Sequence, residues 1–203
     1  MKPKLILSTL FCLLVSQSVL AAEKPANQKK QTTLNLYLNA KEANDKISKN
    51  KSNVLFIDVR TVAEVNFLGM PTIADANIPY VTFSADLGEA YPWNSKKNSF
   101  KLKPNNDFTT AILDQLKAKK LDKTADIILI CRSGSRSSKA ANLLAQAGFK
   151  KVYTVIDGYE GDKAKKGPNK GKRMVNGWKN SGLPWTYKLT KKKMYKVASQ
   201  QSD

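Results

Sequence analysis

Ile127-Ile-Leu-Ile130 runs straight into Cys131-Arg-Ser-Gly-Ser-Arg-Ser137, and Ala140, Ala141, Leu143, Leu144 and Ala147 then recur at helical spacing up to Gly148. Four apolar residues without polar alternation predict a strand covered on both faces, the habit of parallel sheets. The spacing after Ser137 predicts a helix, with Gly148 as the glycine just past its C-terminus. Downstream, Val152-Tyr-Thr-Val-Ile156 is another strand; upstream, Val54-Leu-Phe-Ile57 is a second unalternating run, closed by Asp58. Asn39 is the expected N-cap of a helix over 40–49 with Ala40, Ala43 and Ile47 on one side. Phe108, Ile112, Leu113 and Leu116 predict an amphipathic helix over 107–119, and Ile78 to Phe83 reads as a further strand. Strands of this kind separated by helices predict an α/β fold, a parallel sheet with helices on both faces. Ligands of such sheets sit beyond the carboxyl ends of the strands, the edge that Asp58 and Cys131 both occupy.

The composition narrows the chemistry. The chain has 203 residues, 41% of them hydrophobic, enough for a buried core in one domain with appendages. It has no histidine, which excludes the Ser-His-Asp triad, a Cys-His pair, His-ligated zinc and an imidazole base. Two cysteines cannot build a Cys-rich metal site, so neither a metal nor an organic cofactor is expected. With 35 Lys+Arg against 16 Asp+Glu the formal charge is +19, which attracts anionic surfaces. An acidic protein partner fits this charge, and nucleic acid is not expected because the chain opens on an export signal.

That signal is residues 1–21: a basic start at Lys2 and Lys4, an apolar run from Leu5 to Val15, and Val19-Leu20-Ala21 as the cleavage site. The protein is therefore expected to be exported, periplasmic or secreted, with no transmembrane segment after cleavage and Cys131 as its single cysteine. Residues 22–33 read as a polar linker. Residues 84–106 form a long stretch without period, a lid, a binding element or a surface insertion. Residues 162–173, with six basic side chains and Asp162, read as a mobile basic loop, and 188–203 as a basic, frayed tail.

Cys131 has a predictable electrostatic setting. The loop after it must curl tightly, with Gly134 supplying backbone freedom, and a curled loop turns its N–H groups inward. The following helix points its positive end at the same spot, and Arg132 and Arg136 add cationic charge. All three effects favour negative charge on the sulfur and make the loop an anion cradle. A sulfur nucleophile attacking an anion follows, with no histidine needed.

Cys131-Arg-Ser-Gly-Ser-Arg-Ser137 behind an apolar strand resembles the active-site loop of the rhodanese family. The resemblance continues in Phe56-Ile-Asp-Val-Arg60 with Glu64, in Ala147-Gly-Phe149, in Val155-Ile-Asp-Gly-Tyr-Glu-Gly161 and in Asn176-Gly-Trp-Lys-Asn-Ser-Gly-Leu-Pro-Trp185, covering roughly residues 34–187. Tyr159 stands where the family commonly has a second glycine, and the basic 162–173 insertion separates that turn from Trp178. The resemblance implies a sheet of about five parallel strands and a sulfurtransferase cycle. Cys131 would take sulfur from thiosulfate or a similar small anionic donor as a persulfide, and a thiol or cyanide would accept it. Arg132, Ser133, Gly134, Ser135 and Arg136 would hold the donor, with bidentate Arg136 facing the anion. Asp58, Arg60 and Glu64 read as structural support, with Arg60 pairing with Glu64 across one helical turn. Two other readings stay open: a persulfide carrier or sensor docking on a partner, and a phosphatase or arsenate reductase on the same kind of fold. The latter enzymes use one more residue between cysteine and arginine than the four found here.

Overall fold

Residues 22–83 and 92–196 are described by a computed structural model. Residues 1–21, where the export signal is expected, residues 84–91 of the long loop and residues 197–203 of the tail lie outside the described residues.

The unalternating runs pair as their composition requires. In chain order the elements are β1 (Tyr37–Leu38), α1 (Ala40–Lys49), β2 (Val54–Asp58), α2 (Val62–Leu68), β3 (Met70–Pro71), β4 (Ala76–Asn77), β5 (Val81–Phe83), β6 (Trp93–Asn94), β7 (Ser99–Phe100), β8 (Leu102–Pro104), α3 (Phe108–Ala118), β9 (Asp126–Ile130), α4 (Ser135–Gln146), β10 (Val152–Val155) and β11 (Trp185–Thr186). Five of the strands form one parallel sheet in the order β1-β10-β9-β2-β4. β9 and β2, the two purest apolar runs, are neighbours near its middle, with Asp58 level with Ile130.

The pleat sends alternate residues to two cores. Leu55, Ile57, Ile127 and Leu129 pack against Phe108, Ile112 and Leu116 of α3 and Ala140, Ala141 and Leu144 of α4. Phe56, Ile128 and Ile130 face the other side, with Ala43 and Ile47 of α1, Val65 of α2 and Trp178. Trp178 is fully buried and stacks on Phe56 at 5.4 Å, so the chain beyond the sheet closes this core. Helix starts follow the sequence closely: Asn39 with Glu42, and Thr61 with Glu64, each form a capping box.

Four expectations need correction. The strand expected over 78–83 is displaced: the fifth sheet strand is β4, and β5 instead pairs antiparallel with β8. Pro79 has no N–H to continue the parallel ladder, so the chain leaves the sheet there. Residues 22–33 are not a free linker. They carry a 3-10 turn at Gln28–Lys30 that lies against α4, with Ser138 Oγ donating to the Lys30 carbonyl at 2.8 Å and Lys30 Nζ pairing with Asp162 at 2.7 Å. The basic loop over 162–173 is closed by backbone bonds between Ala164 and both Lys172 and Gly171, and by Arg173 Nη1 to the Gly161 carbonyl at 2.6 Å. As far as residue 196, the tail docks rather than frays: Lys193 Nζ caps the Ala74 carbonyl at 2.7 Å, and Tyr195 and Lys196 reach Asp107. Lysine-rich sequence reads as solvated because the acceptors that capture these ammonium groups lie far off in the chain.

Candidate active site

The sulfur loop hangs between two neighbouring turns. Where β2 ends, Val59 N–H bonds the Ile130 carbonyl, and on the other side Tyr159 N–H bonds the Cys131 carbonyl at 2.8 Å. The Arg132 carbonyl accepts from Glu160 N–H at 3.0 Å. With these carbonyls drawn outward, the loop can turn N–H groups toward the sulfur, and Gly134 N–H donates to Cys131 Sγ at 3.2 Å. Two glycines make the approach possible. Gly134 has φ +96°, and a Cβ there would lie 2.3 Å from the Ile156 carbonyl oxygen. A Cβ on Gly158, at φ +65°, would lie 2.6 Å from the Cys131 carbonyl oxygen. Cys131 is a free thiol, 1% exposed, with α4 starting four residues later at Ser135.

Each proposed site residue can be placed. Ser133, Ser135 and Arg136 are half-buried on the loop and first turn of α4, and Arg132 is exposed. Arg136 is not an open fork: Nη1 and Nη2 donate to the two Glu64 oxygens at 2.6 and 2.5 Å. Burial alone would raise the Glu64 carboxyl, but the Arg136 bonds and charge, with the N–H and hydroxyl of Thr61, overcome it and bring the pKa down to about 2. Burial opposes the Arg136 charge as well, and Glu64 outweighs it, so the guanidinium is held above its ordinary range. Arg132 Nε pairs with Glu160 at 2.9 Å.

The expected pairing of Arg60 with Glu64 does not occur. Arg60 turns back on Asp58, its Nη2 2.6 Å from Asp58 Oδ2 and 2.7 Å from the Gly69 carbonyl, and both side chains are fully buried. Its guanidinium lies 3.8 Å from the Tyr159 ring centroid, and Tyr159 itself is a core residue. Asp58 and Arg60 bond each other at the strand end, and Glu64 bonds Arg136.

Two hydroxyls escaped the sequence reading. Ser137 Oγ lies 3.4 Å from Cys131 Sγ and 2.7 Å from Thr154 Oγ1, with all three residues buried. The clue was the serine six residues past the cysteine, which places its hydroxyl in the first turn of α4 under the sulfur. At the opposite edge of the sheet, a cleft of about 450 Å³ is lined by Asn53, Lys120, Asp126 and Lys151. Asp126 there is already paired with Lys46, and no cysteine lines the cleft.

A parallel α/β sheet whose strand end carries a cysteine on a tightly curled loop in front of a helix sets the class of protein. The sequence pattern of the rhodanese-like domain matches residues 39–165, and the chain belongs to that family. It is 30% identical over 136 residues to an uncharacterized protein of Rickettsia prowazekii, covering 67% of this chain and 85% of that one. It is likewise 30% identical over 133 residues to the chloroplastic rhodanese-like domain-containing protein 4 of Arabidopsis thaliana, covering 66% of this chain and 22% of that one. A crystal structure of a protein from M. tuberculosis is 28% identical, with a TM-score of 0.49 over 75% of this chain and 97% of that one.

Proposed function

We propose that this protein is a sulfurtransferase in which Cys131 carries sulfur as a persulfide. The observation that supports it most directly is the Gly134 N–H aimed at Cys131 Sγ at 3.2 Å, inside a loop with only four residues between Cys131 and Arg136. That N–H faces the sulfur and the α4 terminus follows the same loop, and so short a loop suits a sulfur atom better than a phosphate group.

The cycle has two half-reactions. The Cys131 sulfur, as thiolate, attacks the outer sulfur of thiosulfate; the S–S bond breaks and sulfite leaves with its electron pair. A thiophilic acceptor, cyanide or a thiol, then attacks the outer sulfur of the Cys131 persulfide, and the pair returns to Cys131. Because Glu64 occupies the Arg136 fork and neutralises its charge, backbone N–H groups of the loop bind the donor. This replaces the expected bidentate clamp.

Mass spectrometry of the protein before and after thiosulfate tests the reading. A gain of one sulfur on Cys131, removed by cyanide with repeated turnover, supports an enzyme. One loading without turnover points to the carrier, and aryl phosphate hydrolysis dependent on Cys131 to the phosphatase. Cys131→Ser is expected to abolish sulfur loading with the fold intact, since serine nearly matches cysteine in volume but ionises far too weakly to attack. Equal loading of wild type and variant refutes the assignment.

A further inference from the structure

The surroundings of the sulfur loop carry features that a small-anion reaction does not need. The turn at 157–161 that braces Cys131 and Arg132 is the base from which the basic hairpin rises, and Arg173 returns the chain to the Gly161 carbonyl. Gly161 N–H in turn bonds the Arg132 carbonyl at 3.3 Å, so Arg173 is one residue's bonds away from the sulfur loop. The hairpin therefore stands at the rim of the cradle. Its single acidic residue, Asp162, is met by Lys30, so Lys163, Lys165, Lys166, Lys170 and Lys172 give it a strong positive field.

Apolar side chains are exposed on two segments joined to the site. Met174 and Val175, 55% and 60% exposed, follow the hairpin directly. Across the loop, α2 is tied to the site by Glu64 and Arg136 and turns Val62 and Phe67, 44% and 75% exposed, to solvent. Beside the basic hairpin, Met174 and Val175 offer a macromolecular partner apolar contacts.

We propose that this face docks an acidic protein segment that brings its own cysteine to the loaded site. The inference rests on the sulfurtransferase reading and names its acceptor class. The acceptor thiolate attacks the outer sulfur of the Cys131 persulfide, the Cys131 S–S bond breaks, its electron pair returns to Cys131, and the partner leaves as a persulfide. The lysines favour an acidic partner by charge complementarity, with Met174 and Val175, which follow the hairpin directly, meeting its apolar side chains. A lipid surface fits less well, because the sulfur beside the hairpin is buried and must meet another sulfur.

The test uses full-length protein loaded with thiosulfate and three acceptors: a short peptide with Phe-Cys flanked by glutamates, the same peptide flanked by lysines, and neutral 2-mercaptoethanol. At low salt the acidic peptide is expected to accept sulfur at least about tenfold faster than the basic one, the gap closing at high salt as screening sets in within about 10 Å. In the combined variant Lys163→Gln, Lys165→Gln, Lys166→Gln, Lys170→Gln and Lys172→Gln the gap disappears while the 2-mercaptoethanol rate stays unchanged. Equal rates for the two peptides, or a gap that survives in the variant, overturn the proposal. Lysine-dependent sedimentation with phosphatidylglycerol vesicles, without peptide discrimination, assigns the face to lipid and overturns it as well. If Cys131 takes no sulfur, the sulfurtransferase reading fails by itself. Docking is then read from fluorescence anisotropy of the acidic peptide with serine for cysteine: binding lost in the lysine variant supports the surface, and no binding overturns it.

Discussion

Glu64→Gln is the substitution that most sharply tests how the site is braced. The Glu64 carboxylate accepts both Arg136 nitrogens and two bonds from Thr61, and it is lowered from 4.5 to about 2. A folded-state pKa below the unfolded one adds stability that is complete above the unfolded value and is lost as pH falls through the folded value. A drop of about 2.5 units at 1.36 kcal/mol each gives about 3.4 kcal/mol at pH 7. The side chain is 23% exposed, so solvent trims this to about 2–3 kcal/mol. The same linkage leaves less than half of the stabilisation at pH 3. Glutamine keeps the shape and an acceptor for Thr61 but not the charge. Urea unfolding of wild type and variant at pH 7 and pH 3 should thus show a gap of about 2–3 kcal/mol that shrinks to about 1. A gap below about 0.5 kcal/mol at pH 7, or one equally large at pH 3, would refute the claim that this ion pair holds Arg136 over the loop.

Three further outcomes follow from the loop. Gly134→Ala places a Cβ 2.3 Å from the Ile156 carbonyl at φ +96°; sulfur loading is expected to fail with a stability loss above about 2 kcal/mol, checked by thermal unfolding and mass spectrometry, and wild-type loading sinks the idea. Ser137→Ala removes the hydroxyl between Cys131 and Thr154, so iodoacetamide alkylation of Cys131 at neutral pH should slow about five- to tenfold, for roughly 1 kcal/mol, and recover in Ser137→Thr; an unchanged rate means the hydroxyl only fills space. Arg136→Lys keeps a cation for Glu64 and should keep part of the thiosulfate:cyanide activity, and Arg136→Met leaves the Glu64 carboxylate unpaired beside the loop and should lose about 1–3 kcal/mol of transition-state stabilisation, whereas full activity in the methionine variant shows that the backbone cradle alone suffices.

What the sequence disclosed and what it hid divide along physical lines. Unalternating apolar runs can be stable only when covered on both faces, so β2, β9 and β10 were legible, and so was the edge where Cys131 sits. Capping signals are local, and Asn39 needed nothing beyond its own neighbours. Ion pairs are not local. Glu64 is four residues from Arg60 yet bonds Arg136, because Asp58 satisfies Arg60 in the buried turn and leaves the α2 carboxylate facing the next strand's loop. Ser137 was read past because a serine in a first helical turn usually faces water, and only the sheet beneath turns this one onto Thr154. Lys30 looked like linker because its carboxylate partner lies 132 residues away.

That last contact bears on where this domain can be cut. The stretch that matches the family, residues 39–165, omits Lys30 and its strap across α4 and stops short of both Trp178 and β11. Trimmed to that stretch, the chain would lay bare the face of Phe56 that Trp178 covers, and truncating a buried tryptophan to alanine alone costs about 3–5 kcal/mol. It would also strip β3 of its antiparallel partner and free the hairpin from the ammonium that pins its first residue. An affinity tag or fusion joined at residue 34 would push against the helix that begins at the sulfur loop. Expression should begin no later than Ala22, whose N–H already bonds the Tyr37 carbonyl, and run at least to Lys196, whose ammonium anchors Asp107.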